Sequence, residues 1–100
     1  MLNIGKKTMS KKKILILGAS SDIGIETVKK FISENWEVIA HYNRNINKLK
    51  KINNKNLKLL KFDLRNIDKF EKFIKNNQLI KNIDSFISLT GYLKPINFFK

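Results

Sequence analysis

The feature that most constrains the fold is a short apolar run followed by two glycines six residues apart. The segment 13–17 contains four consecutive aliphatic residues and leads into Gly18, and the second glycine is Gly24. A short, continuous apolar run that ends at a turn residue is typical of a β-strand buried on both faces. Such strands occur in parallel sheets, so we expect an α/β protein.

Strand and helix patterns alternate along the rest of the chain. The predicted strands are 13–17, 36–42, 57–62 and 83–89, and the predicted helices are 23–34, 46–52 and a segment that Asn66 caps, with Ile67, Phe70, Phe73 and Ile74 on its apolar face. The apolar face of the first helix is predicted to include Ile23, Val28 and Phe31. Because parallel crossovers are right-handed, we expect an open parallel sheet of four strands in the order 3-2-1-4. Its ligand site would lie where the order reverses, between strands one and four.

Length and composition exclude several classes of function. The chain has 100 residues, no Cys and a single histidine, His41, so disulfide scaffolds and Cys nucleophiles are excluded and we expect no metal site. We predict one domain over 11–100, after a disordered extension at 1–10 with either Met1 or Met9 as the start. No apolar run approaches the ~20 residues needed to cross a bilayer, and no signal-peptide pattern is visible. These features favour a cytoplasmic protein without a membrane partner.

The net charge of +13 suggests an anionic partner such as a nucleic acid. The lysines are spread over nearly every segment and accompany abundant Asn and Ile, which favours a compositional bias over a basic patch. A nucleic-acid-binding domain remains the lesser alternative, and it would lose affinity steeply with added salt.

The loop between the two glycines has the composition of a phosphate site. Gly18 permits a sharp turn after the strand, and Gly24 permits close packing of the following helix. Between them, backbone N–H groups and small hydroxyls lie at the positive end of a helix dipole. The residues involved are Ser20, Ser21, Asp22 and Ile23. The alternative is a turn glycine and a packing glycine with nothing bound.

The span 17–24, LGASSDIG, resembles the cofactor loop Thr-Gly-x-x-x-Gly-x-Gly of the short-chain dehydrogenase/reductase family. Leu17 replaces the Thr and Asp22 replaces the middle Gly. A carboxylate at that position would disfavour a pyrophosphate, by about 1 kcal/mol across solvent, unless it turned back to cap the helix. The resemblance implies a Rossmann-type fold that binds a nicotinamide dinucleotide.

Two further segments resemble the family's pattern. Asp63 and Leu64 follow strand three, like the family's Asp-Val/Leu pair, which the resemblance implies contacts the adenine. The stretch IDSFISLTGYL resembles Asp-x-Leu-Val-Asn-Asn-Ala-Gly, which implies that Thr90 and Gly91 lie beside the cofactor ribose. A helix-capping role for Asp63 is the alternative reading.

The end of strand two predicts which dinucleotide is bound. Enzymes of this type place an acid there for NAD and an Arg or Lys there for the 2′-phosphate of NADP. The chain has Asn43 and Arg44 and no acid at this point, and a guanidinium suits a phosphate. We therefore predict that the chain binds NADP, with NAD as the less favoured cofactor. The alternative is that Arg44 is simply one more solvated cation of a basic chain.

The resemblance spans about residues 12–95 and covers only the first half of the family's fold. The family's catalytic Tyr-x-x-x-Lys is not found, because Ile46 and Ile96 lie four residues after Tyr42 and Tyr92. We expect an N-terminal fragment of an NADP-dependent oxidoreductase whose parent transfers a hydride to or from a small carbonyl or alcohol, with this chain alone inactive. A catalytically silent nucleotide-binding module is the alternative.

The predicted helices do not cover the sheet evenly. Two of them lie on one face and only the helix after Asn66 crosses the other, and strand four is left as an open edge. We therefore expect an isolated chain of marginal stability that dimerises or aggregates through uncovered sheet surface and binds NADPH weakly or not at all.

Overall fold

A computed structural model describes residues 11–90 of the chain, apart from the side chain of Ile67. The strands are β1 (Lys13–Leu17), β2 (Glu37–Tyr42), β3 (Leu57–Lys61) and β4 (Ser85–Ser88), and the helices are α1 (Asp22–Ser33), α2 (Asn47–Lys50) and α3 (Ile67–Lys75). A 3₁₀ turn, Gln78–Ile80, precedes β4. Every strand pairing is parallel and the order is β3-β2-β1-β4. The predicted Rossmann-type sheet is confirmed; the extension 1–10 and Gly91 lie outside the described residues.

The central strand β1 is buried on both faces. Its aliphatic residues are all 0% exposed, and burying each contributes about 1.5–3 kcal/mol. Ile14 shares a cluster with Val28 of α1 and Leu49 of α2, whereas Leu15 shares one with Phe70 of α3. Right-handed crossovers account for this division of the helices between the faces. Helices therefore cover β1 on both faces, and only the edge strand β4 has all its residues half-buried, so association through uncovered sheet surface stays a prediction.

The apolar face of α1 differs from the predicted one. Ile23 is 69% exposed, whereas Ile25 is 7% exposed and Val28 is fully buried. The helix begins at Asp22, so the positions three residues apart, Ile25 and Val28, point toward the sheet. Ile23 instead lies in the exposed first turn, at the carboxyl edge of the sheet. The predicted helix 46–52 is also too long, since α2 has four residues.

Asparagines end several elements in place of glycine. Asn35, Asn53 and Asn82 have φ of 68°, 42° and 65°, in the left-handed region. They follow α1, α2 and the 3₁₀ turn. Asparagine adopts this conformation more readily than other residues that carry a Cβ. Part of the high Asn content is therefore structural.

Candidate functional site

The segments that follow the four strands meet at one edge of the sheet, because parallel strands share their carboxyl end. The predicted site residues in these segments are Gly18 to Gly24 after β1, Asn43 and Arg44 after β2, Asp63 and Leu64 after β3, and Thr90 after β4. The structure thus brings them to a common edge, with the switch point of the strand order between β1 and β4.

Gly18 has no room for a side chain. Its φ is +74°, in the left-handed region, and a Cβ there would lie 2.7 Å from Cγ2 of Thr90 and 3.4 Å from the backbone of Leu89. A residue with a Cβ would be strained in this conformation and would collide with Thr90. The turn after β1 is therefore packed directly against the end of β4, at the switch point.

Gly24 has a second close approach, between α1 and the loop. A Cβ on Gly24 would lie 2.5 Å from the backbone oxygen of Ala19 and 2.6 Å from its Cα. Ala19 is fully buried, and its amide donates to the backbone oxygen of His41 at 2.9 Å. Ser20, the next residue, is half-buried. The first turn of α1 therefore passes directly over a loop whose backbone is held by β2.

Ser21 is the N-cap of α1. Its Oγ accepts a hydrogen bond from the Gly24 amide at 3.0 Å and donates one to the Gly18 carbonyl at 3.3 Å. The amides of Asp22 and Ile23 are in the first turn and have no acceptor within the helix. They lie at the positive end of the helix dipole, where anions bind favourably.

Asp22 forms an ion pair instead of capping the helix. Its carboxylate accepts a hydrogen bond from Nζ of Lys48 in α2. This hydrogen bond, with the charge of Lys48, lowers the pKa of the Asp22 carboxyl below its usual value. The negative charge that replaces the family's glycine is therefore balanced by a cation that the sequence analysis did not identify.

His41, which the sequence analysis considered only for metal binding, links two of the segments. It is 2% exposed. Nδ1 accepts from the Gly18 amide at 3.1 Å, and Nε2 lies 2.8 Å from the Phe62 carbonyl oxygen. Because the Gly18 amide donates to Nδ1, this nitrogen carries no proton. The ring is therefore the neutral tautomer that has its proton on Nε2 and donates it to Phe62. Burial lowers the pKa of His41, and the hydrogen bond to Phe62 opposes that effect.

Asp63 is engaged by a neighbouring arginine. Nε and Nη2 of Arg65 donate to its carboxylate at 2.6–3.0 Å, and the Arg65 amide donates to Oδ1 at 3.0 Å. These hydrogen bonds lower the pKa of Asp63 to about 2, and the charge of Arg44 adds to the effect. Leu64 is 5% exposed and belongs to the core cluster under α3. The structure therefore brings Arg44, after β2, near Asp63, after β3.

The end of β2 is rich in cations. Asn43 and Arg44 are exposed, and residues 41–48 contain Arg44 and Lys48 and no acid.

Over the described range, 11–90, no three side chains of His, Asp or Glu come together in a way that would hold a metal ion. Within that same range, no helix has the length and apolarity to cross a membrane.

A profile of the short chain dehydrogenase family matches residues 12–99. The chain belongs to this family of oxidoreductases, whose members bind NAD or NADP. No curated protein matches the chain by sequence.

Three solved structures share the fold with this chain. Serine dehydrogenase from Escherichia coli is 26% identical with a TM-score of 0.61, and the match covers 74% of this chain and 35% of that one. Gre2 from Candida albicans is 22% identical with a TM-score of 0.66, covering 84% of this chain and 26% of Gre2. PbgP3 protein from Burkholderia pseudomallei is 21% identical with a TM-score of 0.58, covering 79% of this chain and 22% of that one. The chain thus spans about a third or less of these structures.

Proposed function

We propose that this chain is the NADP-binding part of a short-chain oxidoreductase that acts on a small carbonyl or alcohol. The observation that carries the proposal is the pair of glycines at the switch point, where a Cβ would collide with Thr90 at Gly18 and with Ala19 at Gly24. These two close approaches hold the first turn of α1, whose amides have no acceptor within the helix, at the switch point, where a pyrophosphate would bind. The bound nicotinamide would supply the hydride chemistry of the whole enzyme.

The residues that would hold the cofactor come from the four segments at the carboxyl edge. The amides of Asp22 and Ile23 would bind phosphate oxygens, and Ser21 keeps them in place by capping the helix. Thr90 packs on Gly18 and would border the same cleft. We assign Asp63 and Leu64 to the adenine end, with Arg65 neutralising the carboxylate.

The preference for NADP depends on the end of β2. An acid at this position would bind the ribose hydroxyls of NAD and repel the 2′-phosphate of NADP. Arg44 is exposed there and offers a planar group of donors that matches a phosphate. Lys48 provides a second positive charge nearby in sequence, although its ammonium is engaged with Asp22.

Replacement of Arg44 tests this assignment. We expect Arg44→Ala to weaken NADPH binding by roughly tenfold or more, the usual effect of a lost charge-assisted hydrogen bond, with little change for NADH. Isothermal titration of both cofactors measures the two affinities. Lys72→Ala is the matched control, because it removes one exposed cation from α3. Equal weakening of NADPH and NADH by Arg44→Ala would contradict the choice of NADP.

A further inference from the structure

We propose that His41 is a positioning residue of the dinucleotide site. Its neutral imidazole joins the turn at Gly18, after β1, to the end of β3, and so holds two segments of the site together. This inference rests on the proposed function, because it assigns His41 a role in cofactor affinity. His41 does not touch the cofactor in this proposal. It acts through Gly18, whose amide it binds, and through Phe62, which immediately precedes Asp63.

The position of His41 in the sheet explains how one side chain can reach both segments. β2 lies between β1 and β3, so the carboxyl end of β2 has a neighbouring strand end on each side. The ring binds the Gly18 amide at 3.1 Å on one side and the Phe62 carbonyl at 2.8 Å on the other. The backbone repeats this pattern, since His41 accepts from Ala19 at 2.9 Å and Tyr42 accepts from Phe62 at 3.1 Å.

Burial makes the bridge rigid and sensitive to protonation. His41 is 2% exposed, and its ring packs edge-on to Phe70 of α3, with the centroids 6.0 Å apart. A buried polar atom that loses its partner is costly, so both ring nitrogens must remain satisfied. Protonation would put a hydrogen on Nδ1, facing the hydrogen of the Gly18 amide, and would break that bond.

The charged groups on the surrounding elements do not stabilise a protonated ring. Three acids on or near these elements pair with a cation: Asp22 with Lys48, Asp63 with Arg65, and Glu71 of α3 with Lys75. Asp68, also on α3, is exposed, and Glu37, at the other end of β2, lies 3.9 Å from Lys13. The remaining cations that lie on or follow these elements are exposed and disfavour a second positive charge: Arg44, Lys58, Lys61, Lys69 and Lys72.

The sign of the pH dependence follows from the neutral ring. The pKa of His41 is lowered from 6.5 by burial, so the unfolded or opened loop takes up a proton more readily than the closed one. The bridge is therefore fully formed above about pH 6.5, the ordinary pKa of histidine, and is lost as the pH falls toward the lowered value. Cofactor affinity should fall over the same range.

Ring-nitrogen NMR of the cofactor-free chain tests the bridge without relying on cofactor binding. We expect Nε2 protonated and Nδ1 bare at neutral pH, and a displaced Gly18 amide resonance in His41→Phe, which keeps the ring packing but lacks both polar atoms. Tyr42→Phe, the next residue of β2, is the control and should leave the Gly18 amide resonance in place. A proton on Nδ1 in the wild type, or an unmoved Gly18 amide in His41→Phe, would overturn the proposal.

Titration with NADPH then tests the effect on affinity. We expect His41→Phe to bind NADPH roughly tenfold more weakly than the wild type, and Tyr42→Phe to bind NADPH like the wild type. His41→Gln should recover part of the lost affinity, because its side-chain amide carries both an acceptor and a donor. If the His41 variants do not fold, the wild-type affinity decides, measured from about pH 7.5 down through the pH at which NMR shows Nδ1 becoming protonated, and a flat profile across that pH overturns the proposal. Equal binding by His41→Phe and the wild type contradicts only the positioning role, whereas a wild type that binds no dinucleotide contradicts the proposed function as well.

Discussion

Asp22 occupies the position at which the family's loop carries a glycine, and its carboxylate lies beside the helix amides that would bind phosphate. Lys48 pairs with it and lowers its pKa. Both side chains are largely exposed, 88% for Asp22 and 52% for Lys48, so the pair adds little to folding stability. The ion pair instead reduces the negative charge that a phosphate would meet at the first turn of α1.

We expect Asp22→Asn to tighten NADPH binding by a few-fold, roughly fivefold at most, because repulsion of the phosphate across solvent is relieved. The change removes a negative charge from the first turn of α1 and leaves the ammonium of Lys48 available. Calorimetric titration measures the affinity. Glu26→Gln, one turn further along α1, is the matched control and should have a smaller effect. Weaker binding by Asp22→Asn would show that the ion pair holds the loop in its binding conformation.

The sequence was sufficient to predict the residues whose role is local. Gly24 and Ser21 contact residues a few positions away, and Gly18 ends an apolar run, so the local pattern identifies all three. The contact between Gly18 and Thr90 appears only in the folded sheet. Lys48 and His41 act on partners 26 and 23 residues earlier, and only the packed sheet brings these atoms together. A signal was available for His41, because a histidine within an otherwise apolar parallel strand is a buried polar group that needs partners.

At the scale of the elements, the apolar runs and the right-handed crossovers predicted the order of the strands and helices. They did not predict where each element begins and ends. The segment 83–89 reads as one strand, yet the ladder of β4 covers only Ser85–Ser88. Ile83 is 8% exposed and belongs to the core cluster, although it precedes the strand. Burial alone therefore marks the core, whereas hydrogen bonding decides where a strand begins and ends.

We expect Ser21→Ala to lower the free energy of unfolding by about 1 kcal/mol, the usual effect of losing an N-cap. The hydroxyl satisfies the Gly24 amide and binds the Gly18 carbonyl, so its loss also loosens the turn after β1. Urea denaturation measures the change. Ser33→Ala, at the other end of α1, is the control, because Ser33 donates to the Lys30 carbonyl and caps no amide. An equal loss in both variants would contradict the capping role.

At the scale of the whole molecule, β4 is the one strand among the described residues that contains no buried residue. It lies at the edge of the sheet, its residues are half-buried, and Leu89 immediately after it is 37% exposed. An edge strand with exposed apolar neighbours is a site for association. This arrangement supports the prediction that copies of the chain associate along β4.

We expect the elution volume of the chain in size-exclusion chromatography to shift toward larger species as concentration rises. Leu89→Lys should reduce this shift, because it places a charge beside the edge. Leu79→Lys is the control, since Leu79 is also 37% exposed but lies on the 3₁₀ turn. A monomer at every concentration, or equal effects of the two variants, would contradict association through β4.

We propose that the chain forms an NADP-binding unit, and the burial of β1 on both faces shows a packed core that could hold the site, whereas weak or no binding by the isolated chain stays the alternative prediction. Parallel calorimetric titrations with NADPH and NADH test it most directly. We expect saturable binding of one NADPH per chain, about tenfold tighter than NADH, because NADPH makes one additional phosphate contact with Arg44. No saturable binding of either cofactor, or tighter binding of NADH, would contradict it.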